Sequence, residues 1–272
     1  MQGSRDWVPP SGTLGRILEE TRRRLPSLEG SAEGARRQAT RTDRPSLRKA
    51  LRRDTVAVIA EIKRRSPSKG ELNASIDATA QALTFERGGA AAISVLTEPA
   101  HFGGSVQDLI DVVTATRVPV LKKDFHLDRV QVEEAIRGGA SALLLIARAL
   151  APQQLGEMIE AARRHDIEAV VEVRTEAELE RALSAGADII GVNSRNLETL
   201  EVDERVPETL MPRIPPNVIG IWESGVRSAD DVRRAAAAGA DAVLVGSALS
   251  QSADPEALVR SMTQVARVSR RG

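Results

Sequence analysis

From Thr55 onward, short apolar runs alternate with longer stretches in which apolar positions return every three or four residues. The short runs are Val56–Glu61, Ala91–Leu96, Val118–Lys123 and Ala142–Ile146, then Ala169–Val173, Ile189–Asn193, Val218–Trp222 and Ala242–Val245. They are β-branched and apolar without alternation, as expected of parallel strands covered on both faces. The longer stretches predict helices over Ile76–Glu86, Val106–Thr114, Arg129–Ile136 and Pro152–Arg164. Further helices are predicted over Glu176–Leu183, Ala229–Ala237 and Pro255–Val268, with a weaker pattern near Val206–Leu210. A Gly-Ala pair precedes every second strand, at Gly89-Ala90, Gly139-Ala140, Gly186-Ala187 and Gly239-Ala240. That spacing of roughly 50 residues corresponds to two strand–helix units. Eight such units predict a (β/α)8 TIM barrel, an α/β fold of roughly 250 residues with its active site at the C-terminal ends of the strands. An open doubly wound sheet is the structural alternative, but no Gly-x-Gly-x-x-Gly turn follows the first strand.

The first 50 residues break the pattern. Leu14, Ile17 and Leu18 predict one short amphipathic helix, after which Arg, Ser and Gly dominate through Arg44. Too poor in apolar residues to fold alone, residues 1–50 are expected to form a partly mobile N-terminal extension ahead of a barrel over 51–272.

Composition acts mainly by exclusion. The 38 basic and 38 acidic side chains leave a formal charge of zero, with no footprint for nucleic acid or a membrane surface. Without cysteine there is neither a disulfide nor a thiolate metal site. No apolar run approaches the roughly 20 residues of a membrane span, and the N-terminus lacks a signal-peptide core. A cytoplasmic protein is expected. Only five of the basic residues are lysines: Lys49, Lys63, Lys69, Lys122 and Lys123. An amine can be tuned to exchange a proton where a guanidinium cannot, so the lysines kept at two strand ends are candidates for chemistry.

Those strand ends share a polar character. The first strand runs into Glu61, Ile62 and Lys63 and then a Ser-Pro-Ser-Lys-Gly loop; alternation puts Glu61 and Lys63 on one face. The third ends in Lys122-Lys123-Asp124-Phe125, where only one of the two lysines can point inward. The fifth carries Glu172 between valines, the sixth ends in Asn193-Ser194-Arg195, the seventh in Glu223-Ser224-Gly225 and the eighth in Gly246-Ser247. Ser224-Gly225 and Gly246-Ser247 stand where barrels often bind phosphate through backbone N–H groups. Phe102, Phe125 and Leu197 would supply a wall for an aromatic ring. Together these features sketch a substrate with a phosphate at one end and an aryl group at the other.

The stretches VIAEIKRRSPSKG, ISVLTEPAHFGGS, PVLKKDFHLDRVQVEEA, ALLLIARAL, VVEVRTEAELERAL, IIGVNSRNL, ESGV and VLVGSAL, in that order, resemble the indole-3-glycerol-phosphate synthase family. The resemblance runs from about Leu14 to the C-terminus. It implies ring closure of 1-(2-carboxyphenylamino)-1-deoxyribulose 5-phosphate, with loss of carbon dioxide and water, in tryptophan biosynthesis. It further implies that Lys123 is the general acid, Glu172 the acid/base of the dehydration, and Lys63 the cation facing the substrate's anionic groups. Glu61, Asn193 and Glu223 would hold these groups in place; Ser66, Arg195 and Ser224 would join Phe102, Phe125 and Leu197 in binding substrate. Gly225, Gly246 and Ser247 would take the phosphate, and a side chain added at Gly246 would act mainly on KM. The resemblance calls for no metal and no organic cofactor, and a monomer is expected. For Lys123 to donate a proton, burial or the second amine is expected to lower its pKa.

Three positions depart from the family pattern. Arg41–Leu51 lacks the usual Arg-Asp-Phe, His126 replaces an aliphatic residue, and Trp222 stands where a small residue is usual. If Glu223 faces the lumen, alternation turns Trp222 outward to pack behind the site. Two rivals are a different phosphosugar enzyme, such as a phosphoribosylanthranilate isomerase, and a non-catalytic or secondary-metabolism paralogue that binds a related aryl phosphosugar. The set of two lysines and three glutamates opposes the first, and the intact Glu61, Lys63, Lys123, Glu172, Asn193 and Glu223 oppose a non-catalytic paralogue.

Overall fold

The computed structural model describes residues 7–34 and 44–270. Its centre is a closed parallel barrel of β1 (Ala57–Ile62), β2 (Ala92–Leu96), β3 (Val120–Lys123), β4 (Ala142–Ile146), β5 (Glu168–Val173), β6 (Ile189–Asn193), β7 (Ile219–Glu223) and β8 (Ala242–Val245). Each strand pairs with its neighbour in the chain, and β8 closes on β1 in the register Ala57↔Ala242 to Ala60↔Val245. β1, β2, β4, β6, β7 and β8 are buried at every position. One parity fills the lumen and the other packs under helices, which is why the runs are apolar without alternation.

The N-terminal segment is more ordered than the sequence predicts. In place of one short helix it forms α1 (Gly12–Gly34), with Pro26 inside it, and α2 (Leu47–Leu51). Leu14, Ile17, Leu18 and Thr21 are all buried, an i, i+3, i+4, i+7 stripe that docks α1 on the barrel. The short estimate counted the arginines as a break, whereas Glu19 and Arg23 form an i, i+4 pair on the solvent face of the same helix. α2 buries Leu47 and Leu51 at the opposite end of the barrel, where Glu168, at the start of β5, accepts from the Ser46 hydroxyl and the Arg48 N–H. The Arg-, Ser- and Gly-rich stretch expected to be mobile lies, over 35–43, outside the described residues.

The barrel helices are α3 (Ala78–Arg87), α4 (Pro99–Phe102), α5 (Val106–Ala115), α6 (Arg129–Arg137), α7 (Pro152–Arg164), α8 (Glu176–Ser184), α9 (Arg205–Leu210), α10 (Ala229–Ala237), α11 (Ser247–Ser250) and α12 (Pro255–Met262). Asp77, Ser105, Asp128, Thr175, Ser228 and Asp254 cap α3, α5, α6, α8, α10 and α12 through first-turn N–H groups. The Gly-Ala repeat proves to be a helix stop. Gly89, Gly139, Gly186 and Gly239 are all left-handed, and the N–H of each following alanine returns to the last helical turn, as Ala140 does to Ala135 O. The last helix is shorter than predicted because the chain leaves it to pair with the start of the barrel: Val56 N–H donates to Val265 O, and Thr55 bridges Ala266. The Ser-Pro-Ser-Lys-Gly loop forms a small hairpin, Arg65–Ser66 against Gly70–Glu71.

Candidate active site

Twelve of the fifteen residues singled out from the sequence line one cavity at the C-terminal mouth of the barrel. The strands bring Glu61 and Lys63, Lys123, Glu172, Asn193 and Glu223 to its floor. The loops add Ser66, Phe102, Phe125, Arg195, Leu197 and Ser224 around them. Gly225, Gly246 and Ser247 do not line this cavity. They follow the ends of the paired strands β7 and β8, with Gly225 left-handed and Ser247 opening the four-residue α11. An added Cβ at Gly246 would overlap Glu61 Oε1. Gly246→Val would therefore displace an acid of the site and lower kcat, against the expectation that it acts mainly on KM.

The charged groups form a triad and a pair. Lys123 Nζ lies 2.7 Å from Glu223 Oε2 and 3.3 Å from Glu172 Oε2. Asn193 Nδ2 donates to the other oxygen of Glu172 at 3.0 Å, and its own carbonyl accepts the Arg195 N–H. Lys63 Nζ sits 3.2 Å from Glu61 Oε1, as their shared face requires, and 5.7 Å from the centre of the Phe102 ring. Phe102 and Phe125 meet at 6.1 Å between ring centres, tilted by 39°. Glu61, Glu172 and Glu223 are all buried, so three carboxylates and two ammonium groups share a water-poor space.

Crowding sets the protonation states. Burial alone would depress Lys123, yet Glu223, Glu172 and Glu61 outweigh it and raise its pKa. This corrects the expectation of a lowered value: the resting Lys123 is an ammonium. Burial pushes Glu223 up to about 7, against the pull of Lys123 and with the help of Glu172 and Glu61. Its Oε1 has no hydrogen-bond partner among the described residues. Lys122 goes to the opposite face, wholly buried against α6, where it pairs with Glu134. Trp222 also turns away from the cavity and is buried, its Nε1 donating to Ser224 O.

Several contributors escaped the sequence analysis. Gly191, inside β6, leaves the space that Glu223 Oε1 occupies; the signal was a lone glycine in an apolar strand. Thr13, Leu14 and Ile17 of α1 roof the cavity. α1 is held there by Ser11 and Thr13 bonding to Glu198 and by Glu20 bonding to His101 at 2.7 Å. The helix was legible, but nothing in its periodicity says which surface it covers.

The family model described as indole-3-glycerol phosphate synthase matches residues 14–262. An indole-3-glycerol phosphate synthase of Mycolicibacterium gilvum is 46% identical over 252 residues, 92% of this chain and 93% of the relative. That of Kineococcus radiotolerans is 47% identical over 243 residues, 89% of each chain. Among solved structures, the 3-hexulose-6-phosphate synthase of Salmonella typhimurium superposes with a TM-score of 0.62 at 17% identity, covering 77% of this chain and 97% of the other. A thiamine phosphate pyrophosphorylase of Pyrococcus furiosus gives 0.59 at 16%, covering 77% and 94%. At such identities these structures speak for the barrel alone.

Proposed function

The chain belongs to the indole-3-glycerol phosphate synthase family, and we propose that Lys123, Glu172 and Lys63 carry that family's chemistry at this barrel mouth. The enzyme is a decarboxylating, ring-closing lyase of tryptophan biosynthesis that acts on 1-(2-carboxyphenylamino)-1-deoxyribulose 5-phosphate. The observation that carries the assignment of roles is the position of Lys123, between Glu172 and Glu223 in the cavity that Phe102 and Phe125 also line. With the aryl ring against that wall, Lys123 donates a proton to the ribulose carbonyl oxygen as the carboxylate-bearing aryl carbon attacks the carbonyl carbon. The new C–C bond forms, the carbonyl becomes a hydroxyl, and loss of carbon dioxide returns its electron pair to the ring. Lys63 faces the carboxylate until it leaves. Glu172, oriented by Asn193, then exchanges the protons of the dehydration: the hydroxyl departs as water and a proton leaves the carbon beside nitrogen. Glu61 and Glu223 keep the two ammonium groups charged and aimed.

Gly225, Gly246 and Ser247, at the ends of the two adjacent strands, take the substrate phosphate, and Arg195 and Ser224 contact its remaining polar groups. The enzyme acts as a monomer in the cytoplasm. No helix among the described residues is long and apolar enough to cross a membrane.

Incubation with the synthetic aryl phosphosugar, followed by indole fluorescence, tests the reading. Turnover is expected in the wild type and its loss in Lys123→Met; a fully active Lys123→Met overturns the assignment. Inorganic phosphate is expected to compete with substrate, and purely non-competitive behaviour removes the phosphate site.

A further inference from the structure

Behind β3 lies a second cluster of charges that the reaction does not use, of which only Asp124 also lines the cavity. Lys122 is completely buried, and its ammonium meets three acceptors: Glu134 Oε2 at 2.9 Å, His126 Nε2 at 3.3 Å and Asp124 Oδ2 at 3.5 Å. His126 Nδ1 lies 2.7 Å from Leu144 O. A carbonyl only accepts, so Nδ1 carries the ring proton and Nε2 offers its lone pair to Lys122. Burial and the neighbouring Lys122 hold the imidazole neutral, at a pKa of about 3. Asp124 also accepts from the Thr97 hydroxyl at 2.5 Å and from the Phe125 N–H at 2.8 Å.

These contacts tie the loop after Lys123 in three directions. Thr97 anchors it beyond the end of β2, Leu144 to β4 and Glu134 to α6, while Gln131 of α6 donates to Phe125 O. The loop carries Phe125, half of the aromatic wall, and begins at the peptide that aims Lys123. We propose that Lys122, held by His126, Asp124 and Glu134, is a positioning residue that sets the placement of Lys123 and Phe125 for ring closure. His126 is then a functional departure: it supplies the third acceptor that an aliphatic residue would not. The His126 hydrogen bond and the ion pairs with Glu134 and Asp124 hold the side chain in one orientation, and the adjacent residue inherits it.

This inference rests on Lys123 as the proton donor. Its test compares His126→Leu, His126→Gln and Lys122→Met for kcat, KM and melting temperature, with kcat taken well below each melting transition. His126→Leu is expected to lower kcat by about 10- to 100-fold, the scale of a displacement near 1 Å at reacting groups. KM should stay within about twofold, the signature of an interaction expressed in the transition state. His126→Gln, whose amide oxygen can accept from Lys122, should recover most of the lost kcat, and Lys122→Met should resemble His126→Leu. If Lys122→Met does not fold, the His126 pair decides alone. Unchanged kcat in folded His126→Leu overturns the proposal, as does an equal loss in the Gln and Leu variants. An inactive Lys123→Met beside a fully active His126→Leu sinks this proposal only; an active Lys123→Met sinks the reading beneath it.

Discussion

Gly191→Ala is the smallest change with a large expected effect on this site. Gly191 and Ile221 are partners in the β6–β7 register, so the residue backs directly onto the strand that carries Glu223. A Cβ there would overlap Glu223 Oε1 and crowd its Cδ. Away from such a contact, Gly→Ala would stabilise the protein by about 0.4–1 kcal/mol, by restricting the unfolded chain. Overpacking in a filled interior typically costs about 1–3 kcal/mol, so a net loss of roughly 1–2 kcal/mol is expected. At about 2–4 °C per kcal/mol for a domain of this size, the melting temperature should fall by several degrees. The larger effect is on turnover. Glu223 cannot swing aside without leaving Lys123, its partner at 2.7 Å, and a shift near 1 Å is worth about 10²-fold in rate. Steady-state kinetics by indole fluorescence should therefore show a kcat reduced by roughly that factor with KM little changed, since the wall and the phosphate contacts are untouched. A variant with wild-type kcat and a raised melting temperature would refute the reasoning, because Glu223 would then be free to move without consequence.

Lys123→Ala should lower kcat by about 10²–10⁴-fold, the usual contribution of a general acid, and should lower the melting temperature because buried Glu172 and Glu223 lose their cation; turnover comparable to wild type would exclude the role. Between the ordinary carboxyl pKa of 4.5 and about 7, Glu223 keeps its proton in the folded state and loses it in the unfolded one. Stability contributed by that proton is present below 4.5 and lost as pH rises through 7, at about 1.4 kcal/mol per pH unit while the difference lasts. Urea titrations of wild type and Glu223→Gln across this range should show the downward slope in the first and its absence in the second. Trp222→Ala should cost about 3–5 kcal/mol with a modest change in KM, because the ring is buried behind the site; an unchanged melting temperature with a many-fold higher KM would place it in the pocket instead.

Much of this was readable from local pattern because a barrel repeats one local rule eight times. Apolar runs marked the strands, three- and four-residue spacing and the Gly-Ala repeat marked the helices between them, and alternation sent Lys123 and Lys122 to opposite faces. What stayed hidden depends on partners distant in the chain. That α1 roofs the cavity is fixed by Glu198 and His101, far along the sequence from Ser11 and Glu20. That Gly246 shelters Glu61 follows from β8 closing on β1, a contact between the two ends of the barrel. Burial, too, was judged in isolation. Alternation alone says that one of Lys122 and Lys123 faces away from the lumen, but not that Lys122 there has no exposed surface and meets Glu134, His126 and Asp124.

The preference for lysine at these two positions has a different cause from ease of deprotonation. A guanidinium presents its donors in one plane, whereas an ammonium points three in a tetrahedral spread. Lys122 uses that spread on Glu134, His126 and Asp124, and Lys123 uses it on two carboxylates. The same carboxylates make the resting ammonium a poor acid, so donation needs their field to weaken. Glu223 can supply the change: at a pKa of about 7 it takes up a proton near neutrality, and its Oε1 is unoccupied among the described residues. Once it is neutral, Lys123 loses its closest counter-charge and holds its proton less tightly, while Glu172 stays ready for the later step. In the proposed mechanism the acid strength of the site is set on Glu223 and delivered through Lys123. On this logic Glu223→Gln should retain ring closure better than Lys123→Met does, since it imitates the neutral partner rather than removing the donor.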